Sequence, residues 1–318
     1  MLKTAGRFVA ALAVSGVMAG SALAADALRI GVMPFVPYAG ILLAKEKGWV
    51  EEELKAAGRG DVKVSWFQFA GGPPVNEAFA SRNIDIAALG DSPAIAGHAS
   101  GIDTRLVGLA YKGGGAQALL VRADSPIKSV KELKGKKVAT LRGGNVHELL
   151  VLVLAEAGLK LSDIEFINLG LQDMGTTLIK GDIDAALVWD PVFTKLESEG
   201  QARALRDGRG LKSNLNPVIA SAAVLKQDPE FVRAYLKALE RGADFIRTQP
   251  AEAAAVLAPI FGLTPEQLNI AFGRSEFAPK VDGAVKDELK RSVAFMLENR
   301  LIRNAFDVER FVDTSAAQ

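Results

Sequence analysis

The sequence has no cysteine, although 49% of its 318 residues are hydrophobic. The absence of cysteine excludes disulfides, a thiol nucleophile and thiolate metal ligands. Histidine is nearly as scarce, because only His98 and His147 are present. They do not have the spacing of a metal-binding pair, and the sequence has no Gly-x-Ser-x-Gly turn. We therefore expect no bound metal, no cofactor and no enzymatic activity.

Neither sign of charge is in excess. Lys and Arg number 38 against 37 Asp and Glu, and aromatic residues make up only 7% of the chain. Nucleic-acid-binding proteins usually carry a basic excess, so nucleic acid is not an expected partner. No segment after residue 24 has the roughly 18 uninterrupted apolar residues that a membrane-spanning helix needs. The length suits two α/β domains better than one small core.

The N-terminus is typical of an export signal. Lys3 and Arg7 precede an apolar stretch over residues 8–19, and residues 22–24 read Ala-Leu-Ala, a small-x-small cleavage pattern. The pattern predicts a signal peptide over residues 1–24 that is removed by cleavage. The alternative is a signal anchor that stays in the membrane.

Two separated segments of the chain are near copies of each other. Residues 83–93 read Asn-Ile-Asp-Ile-Ala-Ala-Leu-Gly-Asp-Ser-Pro, and residues 182–191 read Asp-Ile-Asp-Ala-Ala-Leu-Val-Trp-Asp-Pro. Each apolar run predicts a strand buried on both faces, over residues 84–89 and 183–189, and each Asp-Pro end predicts a strand-to-helix turn. Ligands of open parallel sheets bind beyond the carboxyl ends of the strands. The repeat therefore predicts two similar lobes that face one cleft.

Strand and helix patterns alternate along most of the chain, before a helical tail. This alternation predicts an α/β fold with right-handed parallel crossovers. Two segments, residues 113–115 and 214–217, are predicted to connect the lobes. Lobe 1 would then comprise residues 25–115, lobe 2 residues 116–214, and residues 215–318 would return to lobe 1 and supply the C-terminal helices.

The candidate ligand-binding residues lie where predicted strands end and helices begin. Backbone N–H groups in glycine-containing turns can approach an anion at a helix N-terminus, where each helix dipole contributes about 0.3–1 kcal/mol. A micromolar ligand requires roughly 8 kcal/mol, so several N–H and hydroxyl donors must act together. The candidates are Tyr38, Gly71, Gly72, Asp91, Ser92, Gly143, Gly144, Asn145, His147, Trp189 and Asp190.

Some of these candidates have a second interpretation. Asp91 and Asp190 either hold a turn or meet an ammonium or hydroxyl group of the ligand. His147 is either a cleft-facing donor or an ordinary helix residue. Trp189 is expected in the core or in the cleft wall. Ser92 gives the first copy of the repeat a hydroxyl donor, whereas the second copy has none and is expected to act as a wall.

Several motifs occur in an order that resembles a known family. Together they resemble the periplasmic solute-binding proteins of ABC importers for aliphatic sulfonates, within the wider nitrate, sulfonate and taurine group. The motifs are Ala-Gly-Gly-Pro at 70–73, Gly-Asp-Ser-Pro at 90–93, Ser-Pro-Ile-Lys at 125–128, Leu-Lys-Gly-Lys-Lys-Val at 133–138, the turn at 143–147, Trp-Asp-Pro at 189–191 and Glu-Asn-Arg-Leu-Ile at 298–302.

The resemblance implies the two-lobed α/β fold of type II periplasmic binding proteins, which closes on its ligand. Each lobe would be a mixed, mostly parallel sheet flanked by helices, with a hinge of two strands. The sulfonate would be held at the turns that match residues 71–72, 91–92 and 143–145. Sulfonate binders tend to carry Ser before the second-lobe His, where this chain has Gly144, Asn145 and Val146, so the ligand within the group stays open.

The resulting hypothesis is a monomeric periplasmic protein that binds a small organic anion, an alkanesulfonate, and delivers it to an ABC permease and its ATPase. Alternative ligands are taurine, nitrate or a sulfate ester. An enzyme or a sensory module on the same fold is an alternative of another class. Because a sulfonate stays ionised, affinity is predicted to be nearly flat between about pH 6 and 9 unless a His147 cation contributes.

Overall fold

The computed structural model describes residues 27–317, so the predicted signal peptide and its cleavage site lie outside the described residues. The strands are β1 (Ala27–Val32), β2 (Lys63–Gln68), β3 (Ile86–Ala88), β4 (Thr104–Lys112), β5 (Gln117–Arg122), β6 (Lys137–Thr140), β7 (Glu165–Asn168), β8 (Ala185–Trp189), β9 (Ala202–Asp207), β10 (Asn216–Ser221) and β11 (Glu276–Phe277).

Helices follow most of the strands and make up nearly all of the chain after β10. They are α1 (Ala39–Lys47), α2 (Trp49–Ala56), α3 (Gly72–Ala80), α4 (Asp91–Ala99), α5 (Asn145–Glu156), α6 (Leu171–Lys180), α7 (Val192–Ser198), α8 (Ala222–Gln227), α9 (Pro229–Thr248), α10 (Pro250–Phe261), α11 (Pro265–Phe272), α12 (Gly283–Glu298) and α13 (Val308–Phe311). None of these described helices is long and apolar enough to span a membrane.

The strands form two separate sheets, which confirms the predicted two-lobed α/β fold. Lobe 1 contains the sheet β11-β4-β10-β3-β1-β2, and lobe 2 contains the sheet β7-β6-β8-β5-β9. In lobe 1 only β10 and β11 run against the other strands, and in lobe 2 only β5 does. Both sheets are therefore mixed and mostly parallel, as predicted.

The lobe 2 sheet is buried on both faces. On β5, Leu119 and Val121 pack into one hydrophobic cluster with α5, whereas Ala118 and Leu120 pack into another with α6 and α7. A strand covered by helices on both sides needs apolar residues at every position. This is why β5 and β8 appear in the sequence as continuous apolar runs rather than as alternating patterns.

The two near-copy segments have the same structural role in their lobes. The first Asp of each copy accepts a hydrogen bond from the neighbouring parallel strand: Arg29 N to Asp85 Oδ2 and Lys137 N to Asp184 Oδ2, both at 2.9 Å. Both strands begin two residues later than predicted, at Ile86 and Ala185. At this end of each ladder the Asp side chain, rather than a backbone carbonyl, accepts the neighbouring N–H.

Two crossing segments connect the lobes, one between β4 and β5 and the other between β9 and β10. They are hydrogen-bonded to each other, with Gly113 N donating to Ser213 O at 2.7 Å and Gly208 N donating to Gly114 O at 3.0 Å. A Cβ on Gly114 would lie 2.7 Å from Lys212 O, so the two backbones need glycine to approach this closely. The second crossing starts at residue 208, earlier than the predicted residue 214.

Candidate functional site

A cavity of about 320 Å³ lies between the lobes, beside the crossing segments. Its walls are the turns that follow β1, β2 and β3 in lobe 1 and β6, β7 and β8 in lobe 2. Parallel strands place such turns at the carboxyl edge of the sheet, where open α/β proteins bind their ligands. The cavity is the candidate ligand site.

Six of the eleven residues proposed from the sequence line this cavity. They are Tyr38, Gly71, Gly72, Gly144, Asn145 and Trp189.

The other five lie outside the lining, close behind it. They are Asp91, Ser92, Gly143, His147 and Asp190.

The N-termini of four helices, α3, α4, α5 and α6, border the cavity. The first N–H groups of a helix have no acceptor within it and are available to an anion. In α3 that supply is small, because Pro73 and Pro74 follow Gly72 and carry no N–H. The N–H groups of Asn145 and Val146 in α5, and of Leu171 and Gln172 in α6, are the larger supply.

The N-terminus of α4 keeps its N–H groups for the protein itself. Asp91 N donates to Leu215 O, Ser92 N donates to Asp91 Oδ1 at 2.7 Å, and Ala94 N donates to Gly90 O. Pro93 has no N–H. This turn therefore gives the cavity a surface made of Gly90 and Pro93, and the buried Ser92 hydroxyl lies against the Asp91 carboxylate.

Amide side chains form a chain of hydrogen bonds from lobe 1 to lobe 2. Tyr38 Oη donates to Asn216 Oδ1 at 2.9 Å, and Asn216 Nδ2 donates to the backbone oxygen of Asn214 at 3.1 Å. Asn145 Nδ2, from α5, donates to Asn214 Oδ1. Burial is the main cause of the raised pKa of Tyr38, so its hydroxyl keeps the proton that it donates.

Among the described residues that form this series of hydrogen bonds, Asn214 has an unused donor. Its Oδ1 accepts from Asn145 and also lies 3.3 Å from Asn216 Nδ2, which orients the amide. Its own Nδ2 is buried and has no acceptor within residues 27–317, although Asn214 lines the cavity. Its φ of 52° is in the left-handed region, which Asn tolerates better than most residues. A pair of Asn residues before Pro217 in a predicted crossing is the signal that could have identified it.

Apart from Gln172 and Asp173, most of the remaining lining is apolar. Phe35 and Trp189 meet edge to face with ring centroids 6.2 Å apart, and Met33, Leu141 and Leu171 extend this wall. Among the described residues that line the cavity, none is Lys or Arg. The site therefore combines neutral hydrogen-bond donors with an apolar surface.

Asp190 holds the turn before α7. It is buried, its Oδ1 accepts from Thr194 N at 2.8 Å, and Arg274 of lobe 1 lies 4.0 Å away. Burial raises the pKa of Asp190 to about 6, against the hydrogen bond from Thr194. These contacts favour the turn-holding interpretation, and the buried contacts of Asp91 with Ser92 N and Lys212 favour it there too.

His147 lies between lobe 2 and α12, where its ring centroid is 6.1 Å from that of Phe295. Its ring packs at 5.3 Å from that of Phe166, and its Nδ1 lies 3.4 Å from Gly143 N, which donates to it. Burial, and then the Arg142 charge, lower the pKa of His147 below its ordinary value. The imidazole is therefore neutral at pH 7 and supplies no charge to the cavity. Within the described residues, no group of three or more His, Asp or Glu side chains could hold a metal ion.

Sulfonate affinity is expected to be nearly constant between about pH 7 and 9, because neither a sulfonate nor the neutral His147 titrates there. Calorimetric titrations with butanesulfonate across this range would test this. A steady loss of affinity with rising pH would mean that a cation in the site is losing its proton.

The two sheets, the paired crossings and the enclosed cleft define a class, the two-lobed periplasmic binding proteins. Within it, the chain belongs to the NMT1/THI5-like family, whose model matches residues 37–253. It is 30% identical over 312 residues, 96% of each chain, to a putative aliphatic sulfonates-binding protein of Escherichia coli K12.

Two solved structures share the fold over most of their length. The periplasmic aliphatic sulphonate binding protein SsuA from Escherichia coli matches with a TM-score of 0.81 at 30% identity, covering 91% of this chain and 92% of that one. The alkanesulfonate-binding protein SsuA from Xanthomonas axonopodis pv. citri, bound to MOPS, matches with a TM-score of 0.81 at 27% identity, covering 91% and 98%. The family resemblance seen in the sequence is thereby confirmed.

Proposed function

We propose that this protein is the periplasmic substrate-binding component of an ABC importer for aliphatic sulfonates. The observation that carries the proposal is the Asn214 amide: Asn214 lines the cavity, and its buried Nδ2 has no acceptor among the described residues. A buried donor without a partner is costly, about 1–3 kcal/mol, and a ligand oxygen would remove that cost. The names of the similar sulfonate-binding proteins support the choice of ligand.

The chemistry of a sulfonate suits this donor set. It has three acceptor oxygens and one permanent negative charge, so it needs donors but no proton-accepting partner. The N–H groups that begin α5 and α6 would bind the oxygens together with Asn214 Nδ2. The hydrocarbon tail would then lie against Phe35 and Trp189, where each buried CH₂ contributes about 0.8 kcal/mol.

Taurine is a weaker candidate because its ammonium would need a carboxylate close to the tail. Among the described residues of the cavity lining, Asp173 is the one carboxylate, and its side chain is exposed at the start of α6. An ammonium held against the apolar wall would lose hydration without gaining a buried partner.

Export and delivery complete the proposal. The signal pattern in residues 1–24 supports secretion to the periplasm, where the monomeric protein would pass its ligand to the permease and ATPase. A hinge of two crossing segments is the structure that domain closure requires.

A thermal-shift series on the chain from residue 25 onward tests the function. The probes are butanesulfonate, taurine, nitrate, methyl sulfate and, as a carboxylate control, pentanoate. Butanesulfonate is expected to raise the melting temperature by several degrees, because a ligand at 100 times its Kd stabilises by about 2.7 kcal/mol. Mass spectrometry should recover it unchanged, in contrast to an enzyme. No shift with any sulfonate would contradict the proposal.

A further inference from the structure

A buried ionic cluster lies directly behind the cavity. Lys212 Nζ is 2.7 Å from Asp91 Oδ2, 2.8 Å from Glu148 Oε2 and 2.9 Å from Ser292 Oγ. The Lys212 side chain is 1% exposed, and those of Asp91 and Glu148 are 0% and 7% exposed. Burial alone would lower the pKa of Lys212, but the two carboxylates raise it above its ordinary value, so the ammonium stays charged.

The cluster joins both lobes to a crossing segment. Asp91 begins α4 in lobe 1, Glu148 is in the first turn of α5 in lobe 2, and Lys212 lies on the second crossing between them. Ser292 on α12 donates to Glu148 Oε1 at 3.3 Å and closes the ring of contacts. No other charged side chain among the described residues forms an ion pair with both lobes from a crossing segment.

Every charged member of the cluster is a near neighbour of a cavity residue. Asp91 follows Gly90, Lys212 comes two residues before Asn214, and Glu148 comes three residues after Asn145. A helical turn rises 5.4 Å and neighbouring Cα atoms are 3.8 Å apart, so these charges lie within roughly 10 Å of the cavity wall.

The charge balance of the cluster matters for an anion. Two carboxylates and one ammonium leave one negative charge behind the N-termini of α4 and α5, two of the helices that border the site. A unit charge about 10 Å away, at an effective dielectric constant of about 20, changes the affinity for a monovalent anion by roughly tenfold. Without the ammonium, the cavity would face two negative charges.

We propose that Lys212 is a positioning residue of the ligand site, which joins α4 to α5 and neutralises one of their two carboxylates so that the cavity accepts an anion. The ligand in this inference rests on the proposed function, whereas the charge balance of the cluster does not. The sequence gives no local sign of it, since Lys212 lies 121 residues from Asp91.

The groups that face Glu148 are few. Lys212 and Asp91 are charged, and α12 presents the Ser292 hydroxyl, while Glu288 one turn earlier on α12 accepts from Ser213 N at 2.8 Å. Burial raises the pKa of Glu148, and the ammonium of Lys212 opposes that rise. Removing the ammonium of Lys212 therefore raises the pKa of Glu148 further.

Three single variants separate a charge effect from a merely structural one, with butanesulfonate as the calorimetric probe. Glu148→Gln and Asp91→Asn each bring the cluster to zero net charge and keep one ion pair, so both are expected to bind up to tenfold more tightly. Lys212→Met brings it to two negative charges at alkaline pH, where Glu148 is ionised, and is expected to bind roughly tenfold more weakly there. Weaker binding in all three variants would overturn the proposal.

A measurement without ligand keeps the inference testable if the proposed function is wrong. In Lys212→Met the folded-state pKa of Glu148 is further above its unfolded value. Protonated Glu148 then stabilises the folded protein at low pH. This contribution is lost as the pH rises from the pKa of Glu148 in the unfolded chain through its pKa in the folded protein. The melting temperature of Lys212→Met is therefore expected to rise as the pH falls from 8 to about 5.5.

The double variant Lys212→Met with Glu148→Gln is the control, since it has no titrating carboxyl at position 148. Its melting temperature is expected to change no more than that of the wild type over the same range. An equal pH response in the single and double variants would overturn the inference. A wild type that binds no sulfonate but has this pattern of melting temperatures would contradict the proposed function alone.

Discussion

Replacing Gly242 with Ala is expected to lower the free energy of unfolding by about 3 kcal/mol. Gly242 lies in the middle of α9, where the helix crosses α1 at Gly40. A Cβ on Gly242 would be 2.1 Å from Gly40 O and 2.8 Å from Gly40 C, so one backbone must move. Ala favours an isolated helix over Gly by about 1 kcal/mol, and the expected loss is what remains after that gain.

Gly283→Ala is the matched control. Gly283 also lies in a helix, at the start of α12, but an added Cβ has no atom within 4 Å. The free energy of unfolding of Gly283→Ala is expected to stay within about 0.5 kcal/mol of the wild-type value. The urea midpoints of both variants measure the difference. Equal midpoints for the two alanines would mean that α1 and α9 can separate without cost.

The fold was predictable because its signals are local. Continuous apolar runs at β5 and β8 reflect helices on both faces of the lobe 2 sheet, and the repeated Ile-Asp pattern marks the same strand position in both lobes. The glycines near residue 113 marked the first crossing. The second crossing was placed too late, since residues 208–213 include the charged side chains of Arg209 and Lys212, which do not indicate a connection by themselves.

The candidate site was less predictable because its decisive contacts are distant in sequence. The Gly-Asp-Ser-Pro turn has the residues of an anion site, yet its N–H groups are used by Leu215, Asp91 and Gly90. The pattern of one turn cannot indicate that loss. Asn214 depends on a left-handed φ and on amides at positions 145 and 216, so only the assembled fold shows that its Nδ2 has no acceptor among the described residues.

Replacing Asn214 with Asp is expected to weaken sulfonate binding by at least about 100-fold. The carboxylate can still accept from Asn145 and Asn216, and Asp tolerates the left-handed φ, so the fold should persist. At the position of Nδ2, however, an oxygen with negative charge would face the sulfonate. Two unit charges 4 Å apart at an effective dielectric constant of 20 repel by about 4 kcal/mol, which is several hundredfold in affinity.

Gln172→Glu is the control for this charge, because it adds the same negative charge at an exposed position of the cavity lining. Water and salt screen an exposed charge, so its affinity for butanesulfonate is expected to fall only a few fold. In Asn214→Asp, protonation of the introduced carboxyl at low pH should restore part of the affinity, and in Gln172→Glu little should change. Comparable affinities in both variants and the wild type would mean that the ligand does not meet the Asn214 amide.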